Sequence, residues 1–425
     1  MSFFLFRFRA ARLVLTLLFC LLVETVHAQP GIRGAILPVG IIEPLMGNTG
    51  TGGLGTSAAS FYNPAALTLV KGNSISLSGS GYTVYRFLAD PIFKVGDQSY
   101  VYEGEGFQST PTTFIAVKTF DKWKLSYSVL VPATFKFEGS TTWNIRQGQS
   151  VSTFRALQNY QEEMILLGAS AAKKLNEYWS LGISVYGQVF GFLSYTNTRT
   201  TIESDNAFLV ENISRIKYNP NHILVTTGVC RSKDRLNLGL KISFPNIYAF
   251  GKGGYFQTVY SKTVDSIPAQ SAEMNIEGVK AAVRLPWEFR AGAVYDLDKW
   301  RLASDFSYGL GIKYDIFPTP NFDNVQDYQA GVRFSAGAEY EIKSSFHAYA
   351  GGVLFSLPTK NELETVSRKY YATTTGVKIN VKFIESTIGV LYTHVKSRSK
   401  PNVASEFADE IFEYFCLFLG TSYSF

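Results

Sequence analysis

The chain has 425 residues, of which 15% are aromatic and 17% are charged, and its formal net charge at pH 7 is +6. That charge is modest and spread along the chain, so the sequence does not favour a nucleic-acid partner. Beyond the N-terminus, no apolar run approaches the roughly 20 residues that a transmembrane helix needs.

The N-terminus has the pattern of a secretory signal peptide. Three arginines precede an apolar run at 13–23, and Val-His-Ala at 26–28 forms a small-residue cleavage site before Gln29. The apolar run is too short to span a bilayer. We therefore expect residues 1–28 to be removed after export.

Residues 29–72 show no regular alternation of apolar and polar positions. Their prolines and glycines argue against a spanning strand, although many of the residues between them are apolar. An irregular apolar segment needs protein around it when it lies at membrane depth. The sequence predicts that 29–72 forms a plug, or hatch, inside a barrel built by residues 73–425.

Two motifs lie within this segment. Residues 50–55 read GTGGLG and fit the pattern G-x-G-x-x-G, but no βαβ unit surrounds them, so we expect turns in a packed plug and not a nucleotide site. Asn63 precedes Pro64 and Ala65. Asparagine is a favoured N-cap residue and proline is favoured at the first helical position, which predicts a short helical turn over 65–70.

From residue 73 onwards, apolar and polar residues alternate in segment after segment. Examples are 287–297, 300–310, 332–342 and 123–137, where the second face carries charged residues in each case. Such segments are half-buried β-strands, and the repeated charges mean that the second face contacts water. In a closed barrel that face is the lumen, and closure is required because open sheet edges cannot face lipid.

The spacing of turns predicts the number of strands. Short polar turns alternate with long stretches that we expect to be irregular loops, as in outer-membrane barrels with short periplasmic turns and long extracellular loops. Six turns and seven loops join fourteen strands and place both chain ends in the periplasm. The turns are expected at 121–122, 176–177, 232–234, 298–299, 343–345 and 384–386, and the loops at 88–107, 138–157, 197–220, 251–275, 313–327, 359–366 and 398–409.

The last strand and the residues after the turns carry aromatic side chains. At the C-terminus, Phe415, Tyr423 and Phe425 share one face, which is typical of the closing strand of a Gram-negative outer-membrane protein. This pattern predicts the barrel-assembly machinery as a partner. Trp123 and Trp300 each follow a short turn, as expected of an aromatic girdle at the membrane interface in contact with outer-membrane lipid.

Three stretches resemble the FadL/OmpP1/TodX family of outer-membrane transport proteins. They read SAASFYNPAAL at 57–67, LNLGLKISFP at 236–245 and LPWEFRAG at 285–292. The resemblance implies an all-β fold, a fourteen-stranded antiparallel barrel plugged by an N-terminal hatch, with Asn63, Pro64 and Ala65 as the hatch motif. It also implies passive transport of hydrophobic compounds, such as long-chain fatty acids or aromatic hydrocarbons.

In this family the substrate leaves sideways, through a gap at a kink in strand three. The candidate kink here is Pro132, which lies in the middle of a predicted strand and removes one donor from the β-ladder. By parity Pro132 faces the lumen. A simple bulge near the outer rim is an equally good interpretation of this proline.

A site for a hydrophobic ligand requires apolar side chains on the normally polar lumen face. Seven residues occupy that face in their strands, although packing against the plug would explain them equally well. No single Arg or Lys stands out as the partner of a carboxylate headgroup. The seven candidates are Leu130, Tyr186, Phe190, Phe192, Tyr349, Val353 and Phe355.

The sequence gives little support for an enzyme. Only His222, His347 and His394 follow the signal peptide, without metal-ligand spacing, and no Ser–His pair stands out, so neither a metal nor a cofactor is predicted. The main alternative to a transporter is a non-transporting outer-membrane scaffold or secretion-shuttle barrel. A general porin is a weaker alternative, because an open pore needs a lumen without a plug.

Overall fold

The chain folds into one closed antiparallel β-barrel in a computed structural model. The structure describes residues 39–95, 98–147, 150–203, 208–263, 270–318, 325–360, 365–399 and 408–425. The expected signal peptide at 1–28 and the first part of the expected plug, 29–38, lie outside these ranges. Within them, no helix has both the length and the apolar character needed to cross a membrane.

Eighteen strand segments form the sheet. In chain order they are β1 (Ser74–Val95), β2 (Gln98–Phe120), β3 (Trp123–Gln147), β4 (Ser150–Lys174), β5 (Trp179–Glu203), β6 (Phe208–Lys233), β7 (Leu236–Ser243), β8 (Ile247–Thr263), β9 (Gln270–Lys280), β10 (Glu288–Leu297), β11 (Trp300–Gly309), β12 (Ile312–Asp315), β13 (Val325–Tyr328), β14 (Gly331–Lys343), β15 (Phe346–Lys360), β16 (Thr365–Val381), β17 (Ile384–Ser399) and β18 (Ala408–Ser424).

These segments make fourteen barrel strands, which confirms the predicted number. Four strands are interrupted and consist of two segments each, namely β7 with β8, β9 with β10, β11 with β12, and β13 with β14. The barrel closes where β1 pairs with β18, from Ser74 opposite Ser424 to Asp90 opposite Asp409. This pairing joins the first and last strands of the sheet, as a membrane-spanning barrel requires.

The short turns lie at one end of the barrel, which we call the short-turn end. Asp121, Asp234 and Asp298 adopt positive φ angles in these turns, at or beside the expected positions. The expected turn at 384–386 is wrong. It lies at 382–383, where Lys382 has a φ of 55°, and residues 384–386 already pair with β18.

The prediction of seven long irregular loops is wrong for the stretches that the structure describes. β1 and β2 remain paired as far as Val95 and Gln98, and β3, β4 and β5 each run for 25 residues. A transmembrane strand needs only about 9–11 residues. The wall therefore continues well beyond a bilayer as long hairpins, and their polar composition reflects water on both faces.

The outward face carries an apolar band at the short-turn end. On β1, Leu77 and Val84 are 50% and 53% exposed, and two residues later Arg86 forms an ion pair with Glu103 of β2. On β18, Tyr423 and Phe415 are similarly exposed, and Glu413 follows at the same face. On β1 and β18, about ten residues thus separate the turns from the first outward charges, which matches the thickness of a bilayer.

The described part of the expected plug, residues 39–73, lies inside this band. It contains a 3₁₀ helix (Glu43–Met46), a short helix α1 (Ala59–Tyr62) and a second 3₁₀ helix (Pro64–Leu69). The first 3₁₀ helix packs against β14–β17 and the second against β3–β7. Nearly all residues from 39 to 70 are buried, so the segment fills the short-turn half of the lumen.

Strand β3 contains a bulge that reverses its two faces. Its register against β4 shifts between Leu130 and Ala133, and both residues point inward and are buried. The expectation of one unbroken alternation over 123–137 is therefore wrong beyond the bulge. Phe137 is buried inside the barrel, whereas Lys136 is exposed outside.

Candidate functional site

Asn63 joins the plug to the barrel wall. Its side-chain oxygen accepts a hydrogen bond from the Ala65 N–H at 3.1 Å and caps the second 3₁₀ helix. Its side-chain nitrogen donates to the carbonyl oxygens of Thr51 at 2.8 Å and of Val229 in β6 at 3.1 Å. A Cβ at Gly228 would overlap the Asn63 side chain, so glycine at this wall position permits the close approach.

A buried ion pair in the wall holds the glycine-rich loop of the plug. Arg290 of β10 and Asp305 of β11 are 2.9 Å apart, and their side chains are 5% and 2% exposed. Asp305 accepts hydrogen bonds from the N–H groups of Gly50 and Thr51 and from the Thr51 hydroxyl, and Arg290 donates to the Asn48 carbonyl at 2.6 Å. The 50–55 motif is thus a wall-binding loop.

Within the plug, Glu43 is a buried carboxyl group. It is 1% exposed, and it accepts hydrogen bonds from the Thr56 hydroxyl and the Ile42 N–H. Burial raises the pKa of Glu43 to about 7, and the Thr56 hydrogen bond opposes that rise. The raised pKa favours the neutral carboxyl group, and Glu43 forms no ion pair in the part of the chain that the structure describes.

A cavity of about 200 Å³ lies between the plug and the wall, and we call it the plug cavity. Tyr62 lines it from the plug, Tyr186 and Phe355 from the wall, and Pro132 and Ala133 from the bulge of β3. Its charged lining residues are Lys241, Glu288, Arg290 and Arg333.

The charges around the plug cavity do not balance. Three cations face Glu288 and Asp305, and Arg290 is already paired with Asp305. Lys241 donates to the Phe61 carbonyl of the plug at 2.9 Å. Among these five residues, cations therefore outnumber carboxylates by one.

Two cations of the plug cavity, Arg290 and Arg333, each have a buried Nε atom without a hydrogen-bond partner among the described residues. Arg290 is paired with Asp305, whereas no ion pair is found in the described ranges for Arg333. The Arg333 guanidinium lies 4.5 Å from the centre of the Phe355 ring. Arg333 also lines the plug cavity, and a guanidinium beside a cavity is well suited to an anionic oxygen, because planar N–H groups match a carboxylate.

At the bulge, β3 separates from β2. Their pairing runs from Phe120 opposite Trp123 only to Thr113 opposite Leu130. Beyond that point β2 stays paired with β1, and β3 stays paired with β4. Two side-chain bonds reconnect the hairpins further on, from Gln108 to the Thr134 carbonyl at 3.5 Å and from Trp143 to the Val101 carbonyl at 2.9 Å.

The outer surface beside this split is concave. A depression of about 720 Å³, which we call the lateral depression, lies on the lipid side of β1, β2, β3 and β18. Val131 lines the lateral depression, and the next residue, Pro132, lines the plug cavity. Only the backbone of the bulge separates the two spaces at this point.

A second cavity, of about 300 Å³, lies towards the long hairpins, and we call it the outer cavity. Phe190, Phe192 and Tyr218 line it, and the two phenylalanine rings stack on the tyrosine. Leu285 lines both the outer cavity and the plug cavity. It belongs to residues 281–287, which leave the wall between β9 and β10.

The ligand-site residues predicted from sequence fall into three groups. Tyr186 and Phe355 line the plug cavity, and Phe190 and Phe192 line the outer cavity. Leu130 and Tyr349 line neither cavity. Leu130 packs in the cluster that contains Ala65 and Leu67, and Tyr349 packs in the cluster that contains Leu45. The seventh residue, Val353, belongs to an aromatic cluster nearer the long hairpins.

The sequence did not distinguish the charged residues of the cavity. Alternation places Arg290, Asp305 and Arg333 on the polar lumen face, but it places many other charged residues there as well. The common signal of these three residues is a position five to ten residues into a strand from the short-turn end, at the height of the plug. That signal has meaning only when the barrel register is known.

Together, these features define a class of structure: a fourteen-stranded barrel with an internal plug, a cavity above it and a split in the wall. No protein-family profile matches the sequence, and no curated protein is significantly similar to it. The fold is nevertheless that of known hydrophobic-compound channels.

A FadL homologue of Pseudomonas aeruginosa has a TM-score of 0.62 at 14% identity, over 94% of this chain and 100% of its own. The toluene transporter TodX of P. putida has a TM-score of 0.60 at 14% identity, over 92% of this chain and 99% of its own. The toluene transporter TbuX of Ralstonia pickettii has a TM-score of 0.53 at 12% identity, over 91% of this chain and 98% of its own.

Proposed function

We propose that this protein is an outer-membrane channel for passive transport of hydrophobic compounds, such as long-chain fatty acids or aromatic hydrocarbons. The apolar outward band supports placement in a bilayer, and the short turns then face the periplasm, as in other outer-membrane barrels. A substrate enters between the long hairpins, passes the outer cavity and reaches the plug cavity.

The observation that carries this proposal is the meeting of the plug cavity and the lateral depression at Val131 and Pro132. A substrate in the plug cavity is blocked below by the plug, but it lies next to a wall without β-pairing. An apolar chain that passes this split enters the hydrocarbon core directly and avoids transfer into water. We therefore propose lateral exit between β2 and β3, with Pro132 at the exit.

Within this class, the plug cavity favours a compound with one acidic group. The excess of cations over carboxylates and the unpaired Nε of Arg333 suit a single carboxylate, and the aromatic lining suits the apolar remainder. Long-chain fatty acids have this chemistry. Aromatic hydrocarbons would use the rings alone and would gain nothing from Arg333.

Uptake in a strain that lacks other fatty-acid routes tests the proposal. Wild-type protein is expected to restore uptake of labelled oleate. Arg333→Gln is expected to reduce oleate uptake about tenfold or more at low concentration, because a charge-assisted hydrogen bond contributes roughly 1.5–3 kcal/mol. Uptake of methyl oleate, which lacks the charge, is expected to change little.

A matched control is Lys136→Gln, which removes a cation from the outer surface of β3 beyond the bulge and should not affect either compound. If Arg333→Gln reduced the uptake of oleate and of methyl oleate equally, the proposed binding of a carboxylate by Arg333 would be wrong. The proposal of transport would not be affected by that result. If wild-type protein transports neither compound, the proposed transport function is wrong, and the scaffold or secretion-shuttle interpretation replaces it.

A further inference from the structure

Four cations lie on the lipid side of the wall at the short-turn end. They are Lys118 of β2, Lys173 of β4, and Arg231 and Lys233 of β6. Their sequence neighbours Val117, Ala172 and Cys230 are buried inside the barrel, so alternation directs the four cations outward. They occupy one arc of the barrel, which we call the basic arc.

Each cation of the basic arc lies over an exposed aromatic ring. The aromatic partners are 43–51% exposed and lie close to the short turns. The separations from the cation to the ring centre are 5.9 Å for Lys118 and Phe120, 5.0 Å for Lys173 and Trp123, 5.9 Å for Arg231 and Trp179, and 5.6 Å for Lys233 and Tyr178.

The strand register makes the arc continuous. Phe120 lies opposite Trp123 across β2 and β3, and Trp123 lies opposite Lys173 across β3 and β4. Lys173 lies opposite Leu181 across β4 and β5, and Leu181 is two residues from Trp179 on the same face. Trp179 then lies opposite Arg231 across β5 and β6. Cross-strand neighbours on one face are about 4.5–5.5 Å apart, so the pairs form one surface over five strands.

Two features of the described residues distinguish the basic arc, namely cations without carboxylate partners and aromatic rings beneath those cations. None of the four forms an ion pair with a carboxylate in the described ranges. Near the other short turns, Lys299, Lys343 and Lys382 are exposed but lie over no aromatic ring in the described ranges, and most exposed side chains there are apolar. The uncharged side chains include Leu297, Trp300, Ile342, Ile379, Ile384 and Tyr423.

We propose that the basic arc binds the headgroup phosphate of an anionic phospholipid, such as phosphatidylglycerol, in the leaflet at the short-turn end. Aromatic rings at the interface fix the depth of the cations, and the uncompensated charge attracts a lipid with net negative charge. Phosphatidylethanolamine carries its own ammonium group and gains less. This inference rests on the proposed membrane placement, but not on transport.

Native mass spectrometry of the detergent-purified protein tests the proposal. The probes are phosphatidylglycerol and phosphatidylethanolamine with identical acyl chains, added at equal concentration. Wild-type protein is expected to retain phosphatidylglycerol at least fivefold more than phosphatidylethanolamine. The combined variant K118Q, K173Q, R231Q and K233Q is expected to retain the two lipids equally.

The control variant carries K299Q, K343Q and K382Q, which remove three exposed cations from the same end outside the basic arc. It should keep the wild-type preference. The proposal is overturned if wild-type protein retains both lipids equally, or if the basic-arc variant keeps the full preference. Oleate uptake by the basic-arc variant should remain normal, which separates this test from the test of transport.

Discussion

Among the described residues, neighbouring strands of the barrel wall lose their backbone pairing in two places, and the two places are built differently. Between β2 and β3 the pairing ends at Leu130, and only side chains reconnect the strands further on. Between β9 and β10, residues 281–287 fold into the lumen, and β9 does not pair with β12 in the described sheet. Both sites contain a proline, Pro132 in the first and Pro286 in the second.

The second interruption is sealed by hydrogen bonds. The Ala282 N–H donates to the Ile316 carbonyl at 3.0 Å, and the Leu310 N–H donates to the Trp287 carbonyl at 3.0 Å. Asn246 accepts from the Leu285 N–H at 2.8 Å and donates to the Val283 carbonyl at 2.9 Å. The backbone groups of the second break are therefore paired with other backbone or side-chain groups, whereas β3 beyond Leu130 has no backbone pairing with β2.

The largest expected effect is at the first interruption. Ala133→Trp adds a bulky ring where the plug cavity meets the bulge, and we expect oleate uptake to fall more than tenfold while the heat-modifiable barrel still assembles. The matched control is Ala116→Trp on β2, which points outward between the inward-facing residues Ile115 and Val117. Similar losses of oleate uptake in both variants would show that the substrate does not depend on the bulge of β3 for its exit.

A smaller effect is expected at the second interruption. Asn246→Ala removes the acceptor of the Leu285 N–H, so we expect hydrogen exchange at Leu285 to accelerate about tenfold, as loss of roughly 1 kcal/mol or more implies. Asn246→Asp keeps the acceptor oxygen and should exchange more slowly than the alanine variant. Unchanged exchange in both variants would mean that Asn246 does not hold the segment.

The smallest effect is expected for Pro132→Ala. Alanine restores one backbone N–H donor to β3. Because β2 follows β1 away from β3 at this point, we expect the split between β2 and β3 to close only in part, and oleate uptake to fall about twofold. Thermal unfolding should change little. An increase in uptake would show that Pro132 obstructs the passage and does not maintain it.

The sequence predicted the barrel well because alternation and turns are local signals. Fourteen strands followed from turn spacing even though 384–386 was misplaced, since a shift of two residues does not change the count. The long hairpins were missed for a physical reason. Strands with water on both faces lose the apolar face by which alternation is recognised.

The site was less predictable because it depends on register between distant strands. Pro132 was identifiable, since proline within a strand is unusual. The exchange of inward and outward positions after Pro132 was not identifiable, because no particular residue type marks a bulge in the sequence. Arg290 and Asp305 lie 15 residues apart in neighbouring strands, and only the ladder that places Gly292 opposite Asp305 brings them together.

The most direct test of lateral exit is to locate a substrate in the wall. A long-chain fatty acid that carries a diazirine near its terminal methyl group is added to wild-type protein in membranes, activated by light and mapped by peptide mass spectrometry. We predict adducts at Val129, Val131 and Ala133 of β3. Adducts confined to the plug at 47–55, with none on β3, would mean that the substrate passes through the plug and would contradict a lateral exit.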